Sequence, residues 1–192
     1  MILAGGRTGW WAWNRLASAP LDSLPSVEQP STDTNAAKNG STPSVAPLVT
    51  TSVDVYLLDA NDVNFALVPL TLEVETADEP AAILDAAFNQ LLGQNLSETA
   101  AFSAIPDNTA LLDLDVESDG IYVDLSAEFE QGGGSASMIG RLNQVIYTAT
   151  SLDPTEPVWL LVDGEPLELL GGEGLEISQP ITRTELDEDF PL

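Results

Sequence analysis

The chain has 192 residues, 44% of them apolar, with 31 Asp and Glu against 5 Lys and Arg, giving a net charge of −26 at pH 7 and a pI of about 4.1. One domain with a sizeable core fits that length, and the charge excludes a phosphate-gripping surface, because beyond residue 47 the bases are Arg141 and Arg183 alone. With neither Cys nor His, disulfides, thiolate nucleophiles, the common zinc sites and a Ser-His-Asp arrangement are ruled out.

The acidity is unevenly placed. Up to residue 47, Arg7, Arg15 and Lys38 balance Asp22, Glu28 and Asp33, so the remainder carries the whole excess. Acids dispersed along exposed strand and helix faces are ordinary solvated positions, which favours solubility or a salty exterior over a cation-attracting surface. Anionic lipid is disfavoured by the same charge.

Residues 1–16 open on Ile2-Leu3-Ala4, pass Gly5-Gly6-Arg7 and gather Trp10, Trp11 and Trp13. Indole rings favour a membrane–water boundary, although a span needs about 20 apolar residues and this stretch is shorter and interrupted. The preferred reading is the remnant of a signal or anchor; the other is an interfacial or partner-binding patch. Residues 17–52, with Pro20, Pro25, Pro30, Pro43 and Pro47 among Ser, Thr and Asn, bury too little to offset ordering and read as a disordered tether.

The folded part, 53–183, begins with a short strand, Val53 to Leu58, and a turn at Asp59 to Asn64. A second strand, Phe65 to Glu75, turns Leu70, Leu72 and Val74 one way, and Pro69 argues for an edge. Pro80 starts a helix with Ile83, Leu84, Ala87, Phe88, Leu91 and Leu92 on one face, and Gly93 ends it.

A hairpin follows. Leu112, Leu114 and Val116, then Ile121, Val123 and Leu125, alternate with polar residues across the turn Ser118-Asp119-Gly120. After Gly132-Gly133-Gly134, Ser135 is placed to cap a helix bearing Met138, Ile139, Leu142, Val145, Ile146, Ala149 and Leu152. Val158 to Val162 is a continuous apolar run, as expected of a central strand covered on both faces. Leu175 to Thr182 offers one more short strand, and the acidic end 184–192 is expected to fray from Glu185 to Asp189. The order helix, strand, strand, helix, strand, behind an extra strand pair, predicts an α+β two-layer sandwich with both helices on one side of the sheet.

Several blocks resemble the GerMN domain of sporulation and germination proteins over most of residues 51 to 183. They are Leu67-Val68-Pro69-Leu70-Thr71; Ser103-Ala104-Ile105-Pro106 with Thr109 and Leu111; and Val123-Asp124-Leu125-Ser126 with Glu128-Phe129. Gly133-Gly134-Ser135 leads on to Arg141-Leu142, Gln144 and Ile146-Tyr147-Thr148; Leu161-Val162-Asp163-Gly164-Glu165-Pro166, Gly174-Leu175 and Pro180-Ile181-Thr182-Arg183 close the domain. The resemblance implies a fold similar to ring-building motifs and a non-catalytic, extracytoplasmic interaction module of the cell envelope, in a single copy of cyanobacterial type. It implies no cofactor, and as partner another envelope protein or a second copy, with the membrane reached only through an N-terminal anchor. There is no lipobox cysteine.

Most motif residues have structural readings. Gly133 and Gly134 permit backbone angles closed to side chains, Asp163-Gly164 makes a turn, and Asp124 and Ser126 sit at a strand end where they hold the loop to Phe129. Arg141 and Arg183 are expected to bond nearby carboxylates, or else to contact a partner. The densest acids are Asp113, Asp115, Glu117, Asp119 and Asp124; from Asp115 the string imitates half an EF-hand loop, yet its twelfth position is Ser126, so Asp115 and Asp119 are weak metal candidates and a solvated sheet face is preferred. The glycines before the helix lack the Lys-Ser/Thr of a phosphate loop. The alternative function is a glycan-binding or glycan-hydrolysing wall module using a carboxylate pair, which requires one acid buried against apolar rings.

Overall fold

The computed structural model describes residues 47–60, 65–93, 100–171 and 174–192. The chain divides into units 1–42 and 43–192. The account below concerns the second; the Trp-rich segment and most of the expected tether lie outside the described residues.

The elements run β1 (Leu48–Ala60), β2 (Phe65–Ala77), α1 (Pro80–Leu92), β3 (Leu111–Glu117), β4 (Gly120–Leu125), a 3-10 turn (Ala127–Glu130), α2 (Ser135–Ala149), β5 (Val158–Val162), β6 (Glu165–Pro166), β7 (Leu169–Leu170), β8 (Leu175–Glu176) and α3 (Arg183–Asp189). This is the expected α+β order, α1-β3-β4-α2-β5, behind a hairpin. The main sheet is ordered β3-β4-β5-β6. β4 and β5 pair in parallel and the two outer pairings are antiparallel. A parallel pair needs a crossover, and α2 supplies it.

The sheet buries one face. Ile121, Val123 and Leu125 of β4 and Val158, Leu160 and Val162 of β5 join a single core with Leu84, Ala87, Phe88 and Leu91 of α1 and Leu142, Val145, Ile146 and Ala149 of α2. Each fully enclosed Leu or Phe there contributes roughly 1.5–3 kcal/mol of transfer free energy. Val53, Val55 and Leu57 add the inner face of β1 to the same core.

The β1–β2 hairpin is longer than expected. Its pairing runs from Leu48↔Ala77 to Ala60↔Phe65, so Leu48 to Ser52 are strand, not tether. Val49 and Thr51 continue the inward alternation of Val53, and Thr is a good strand former; the Ser/Thr content that reads as linker is also compatible with a half-exposed ribbon. Pro69 pairs with Tyr56. Tyr56 directs its N–H to Thr148 Oγ1 at 3.0 Å and receives Gln144 Nε2 on its carbonyl at 3.0 Å, so this pair exchanges no ladder bonds and Pro69 costs none.

Four further expectations are corrected. In β3 the register shifts between Leu111 and Asp113, so Leu111 pairs with inward Leu125 while Leu112 bulges out, 51% exposed; Val116 near the hairpin tip is 38% exposed, leaving Leu114 as the buried residue of the strand. β5 is covered on one face only, because Trp159 and Leu161 are half-exposed on the face away from the helices. The acidic end does not fray. Thr182 and Glu185 form a reciprocal capping box, α3 follows, and Leu186 is fully buried. The expected strand after Leu175 is reduced to β8 and an isolated bridge from Ile181 to Val158.

Candidate functional site

α2 is enclosed on nearly every side. Beyond its apolar face, Arg141, Asn143, Gln144 and Thr148 are all buried. Gly140 lies against β1, where an added Cβ would stand 2.6 Å from a Leu58 methyl. Gln144 joins Tyr56 to the amide of Ala104, whose N–H it accepts at 2.8 Å. Asn143 donates to the carbonyl of Phe190 at 3.1 Å, and the Tyr147 hydroxyl donates to Asp187 at 2.7 Å, tying α3 down. These buried amides and hydroxyls have the partners that burial demands.

The expected carboxylate partners of Arg141 and Arg183 are not found among the described residues; both cap backbone carbonyls instead. Arg141, 2% exposed, donates from Nη1 to Phe129 O at 2.6 Å and Gln131 O at 3.0 Å, and from Nη2 to Gly132 O at 2.9 Å. The fork closes the loop from Phe129 to Gly132 through backbone carbonyls. Burial lowers the pKa of Arg141. Gly133, at φ +81°, packs so close that a Cβ would sit 2.8 Å from Arg141 Nη2. Arg183 donates to Thr150 Oγ1 at 2.7 Å and to the carbonyls of Tyr147 and Thr150 at 3.0 Å each, capping the C-terminus of α2 where positive charge is favoured. Its guanidinium also lies 4.3 Å from the Tyr147 ring centroid.

The loop residues are positioned by neighbouring strands. Asp124 accepts the N–H of Gly164 at 3.0 Å and so fixes the turn in which Asp163 takes φ 50°. Ser126 accepts the N–H of Ala110 at 3.0 Å and precedes the 3-10 turn holding buried Phe129. It also hydrogen-bonds Glu128, which lowers the Glu128 pKa, chiefly through that contact. Ser135 is the first residue of α2, and Gly134 occupies the cap position without a side-chain bond, so Ser135 is not the cap.

The other face of the main sheet is open. Alternation puts Asp113, Asp115 and Glu117 of β3, Tyr122 and Asp124 of β4, and Trp159 and Leu161 of β5 on it, opposite the buried residues. Pairing aligns Asp115 with Tyr122 and Tyr122 with Trp159. The two rings stack with centroids 5.8 Å apart and planes 10° from parallel. Asp119 in the β3–β4 turn braces both, accepting Tyr122 Oη on a carboxylate oxygen at 3.2 Å and Trp159 Nε1 on its carbonyl at 3.4 Å. Desolvation, then the hydrogen bond and charge of Asp119 and the charge of Glu117, raise the Tyr122 pKa. Beside the rings the three acids of β3, Asp124, Leu161 and Gly164 line a shallow depression of about 440 Å³.

Among the described residues no three Asp or Glu converge as a metal would require; Asp119 braces the two rings and Asp115 stands in the row along β3. Among the described residues the buried polar side chains are Thr, Asn, Gln and Arg. The sequence reading missed Tyr122 and Trp159 as one surface feature and Gln144 and Thr148 as interior ones. Alternation separates Tyr122 from Ile121 and Val123, but only the parallel register with β5 brings its ring to Trp159.

Comparisons with known proteins agree with this fold. The family model described as Germane, sporulation and spore germination, matches residues 54–168. A comparison with curated protein sequences finds no match. Among solved structures, the first GerMN domain of the sporulation protein GerM from Bacillus subtilis is similar at a TM-score of 0.58 with 24% identity, covering 70% of this chain and 99% of that one. The tandem GerMN domains of the same protein give 0.57 with 23% identity over 71% of this chain and 48% of theirs. A candidate lipoprotein from Clostridium perfringens gives 0.50 with 19% identity over 74% and 95%. With the family match spanning more than half its length and the fold shared with these structures, the chain belongs to the Germane family and carries a GerMN-type domain.

Proposed function

We propose that this chain is a non-catalytic, extracytoplasmic interaction domain of the cell envelope, tethered at its N-terminus, which binds another envelope protein or a second copy of itself. The observation that carries the reading is the open outer face of the main sheet, with a braced aromatic pair at its centre and no helix laid over it among the described residues. A sheet face left uncovered beside an interior as closely packed as that around α2 is a surface suited to contact. The free edge of β2 is a poorer candidate, since Pro69 interrupts it and Glu73 and Glu75 stand exposed along it, the usual guard against strand addition.

The envelope location draws on the sporulation protein and the candidate lipoprotein that share the fold. None of the described helices is long and apolar enough to cross a membrane. A glycan-hydrolysing reading needs a carboxylate raised by burial, and the carboxyls of Glu128 and Asp153 are instead held below their usual value by hydrogen bonds from Ser126 and Thr155. The ring pair would also suit a sugar, which keeps glycan binding as the second reading.

The test uses the purified tagged chain in two arms. Chemical cross-linking in envelopes of the source organism should capture a discrete protein or a second copy, while the same preparation incubated with peptidoglycan should release no fragments. Turnover on wall fragments would overturn the reading.

A further inference from the structure

The outer face and the cations of this domain never meet. Arg141 and Arg183, the two described bases, are both engaged by backbone carbonyls, so nothing in the described domain offsets the carboxylates of Asp113, Asp115, Glu117 and Asp124. Three of those acids stand in a row along β3, the end strand of the sheet, on its outer face. The row runs beside Tyr122, and the depression between them is walled by Leu161 and Gly164. An anionic row next to stacked electron-rich rings favours a flexible cation with an apolar stem. Side chains at every second position of an extended chain repeat at the spacing of Asp113, Asp115 and Glu117.

Resting on the interaction-domain reading above, we propose that the outer face of β3, β4 and β5 is the docking surface for a cationic protein segment, whose alternate Lys or Arg side chains face Asp113, Asp115 and Glu117 while one packs on the Tyr122–Trp159 pair. Asp119 is a positioning residue here, since it holds both rings and leaves the row of β3 to the partner. Electrostatic complementarity of this kind sets partner choice and encounter rate, and it weakens with salt.

The test must separate this face from the general pull of so acidic a chain. The probe is a short fluorescent peptide of alternating Lys and Thr, titrated into the purified full chain at physiological salt, with a Glu–Thr peptide as blank. The triple variant Asp113→Asn, Asp115→Asn, Glu117→Gln is compared with a control of equal charge change, Glu75→Gln, Glu168→Gln, Glu188→Gln, whose sites are exposed and do not line the depression. The proposal expects affinity to fall about tenfold or more in the first triple and to stay near wild type in the second. Trp159→Ala should weaken binding roughly fivefold with the fold intact by circular dichroism.

Equal losses in the two triples would reduce the effect to net charge and overturn the proposal. Stoichiometric calcium binding that displaces the peptide, or a wall saccharide that competes for Trp159 while the Lys peptide does not bind, would overturn it in favour of another occupant. Failure here leaves the interaction-domain reading standing if a cross-linker at position 122 still captures an envelope protein. Loss of both the peptide and the cross-link would end both.

Discussion

Charge is handled in opposite ways around α2 and on the outer sheet face. Around α2, two guanidiniums are placed against carbonyls, Arg141 closing the loop from Phe129 to Gly132 and Arg183 capping the last turn, and the neighbouring Asn143, Gln144 and Thr148 each have hydrogen-bond partners. On the outer face, carboxylates stand in a row in solvent with no described cation beside them. The first arrangement is a lock whose parts fail when removed singly; the second is a surface whose parts are nearly free to change. Fold stability therefore resides in the α2 surround, and the proposed recognition surface lies outside it.

Breaking the lock should give the largest effects. Arg141→Ala removes the donor from the buried Phe129 carbonyl and from the part-buried Gln131 and Gly132 carbonyls and empties a buried side-chain site, and a loss of about 3–5 kcal/mol in urea unfolding is expected, with Arg141→Lys recovering only part because an ammonium cannot span the same fork. Leu186→Ala should cost about 2–4 kcal/mol, since the side chain is fully buried; a frayed acidic tail would make that change silent. Gly133→Ala meets both a positive φ and the Arg141 fork, for an expected loss of about 1–3 kcal/mol.

A smaller and pH-dependent effect comes from Tyr147, pushed up to about 12 by desolvation, then by its hydrogen bond to Asp187. A raised folded value means the folded chain holds the phenolic proton longer than the unfolded one. The contribution is complete below about pH 10, the ordinary tyrosine value, and is lost as pH rises toward the folded value. Melting temperature measured across that alkaline window should fall more steeply in wild type than in Tyr147→Phe. The smallest effect belongs to the outer face, where Asp115→Asn should leave stability within about 0.5 kcal/mol or raise it slightly by relieving repulsion along β3.

The same division explains what the residues disclosed in advance. α1 and α2 were readable because Pro80, Gly93 and the glycine run before Ser135 bound strong helical periodicities, and the β3–β4 hairpin because Ser118-Asp119-Gly120 interrupts two alternating runs. The start of β1 was hidden by Ser and Thr, which serve linkers and half-exposed strands alike. α3 carried a legible capping box at Thr182 and Glu185, overshadowed by its acids. The bulge at Leu112 and the carbonyl partners of Arg141 and Arg183 depend on contacts distant in sequence or on register, for which a linear pattern holds no signal. Polar residues on a helix are ordinarily assigned to solvent; Gln144 and Thr148 are interior because β1 passes over that side of α2.

The most direct measurement compares two photo-cross-linking positions in the full chain within native envelopes. A benzophenone side chain at Trp159, on the outer sheet face, is set against one at Thr71, on the exposed side of the β1–β2 hairpin. The account predicts a discrete protein adduct from position 159 whose contact peptide carries Lys or Arg, and little from position 71. Adducts from position 71 with none from position 159 would contradict it.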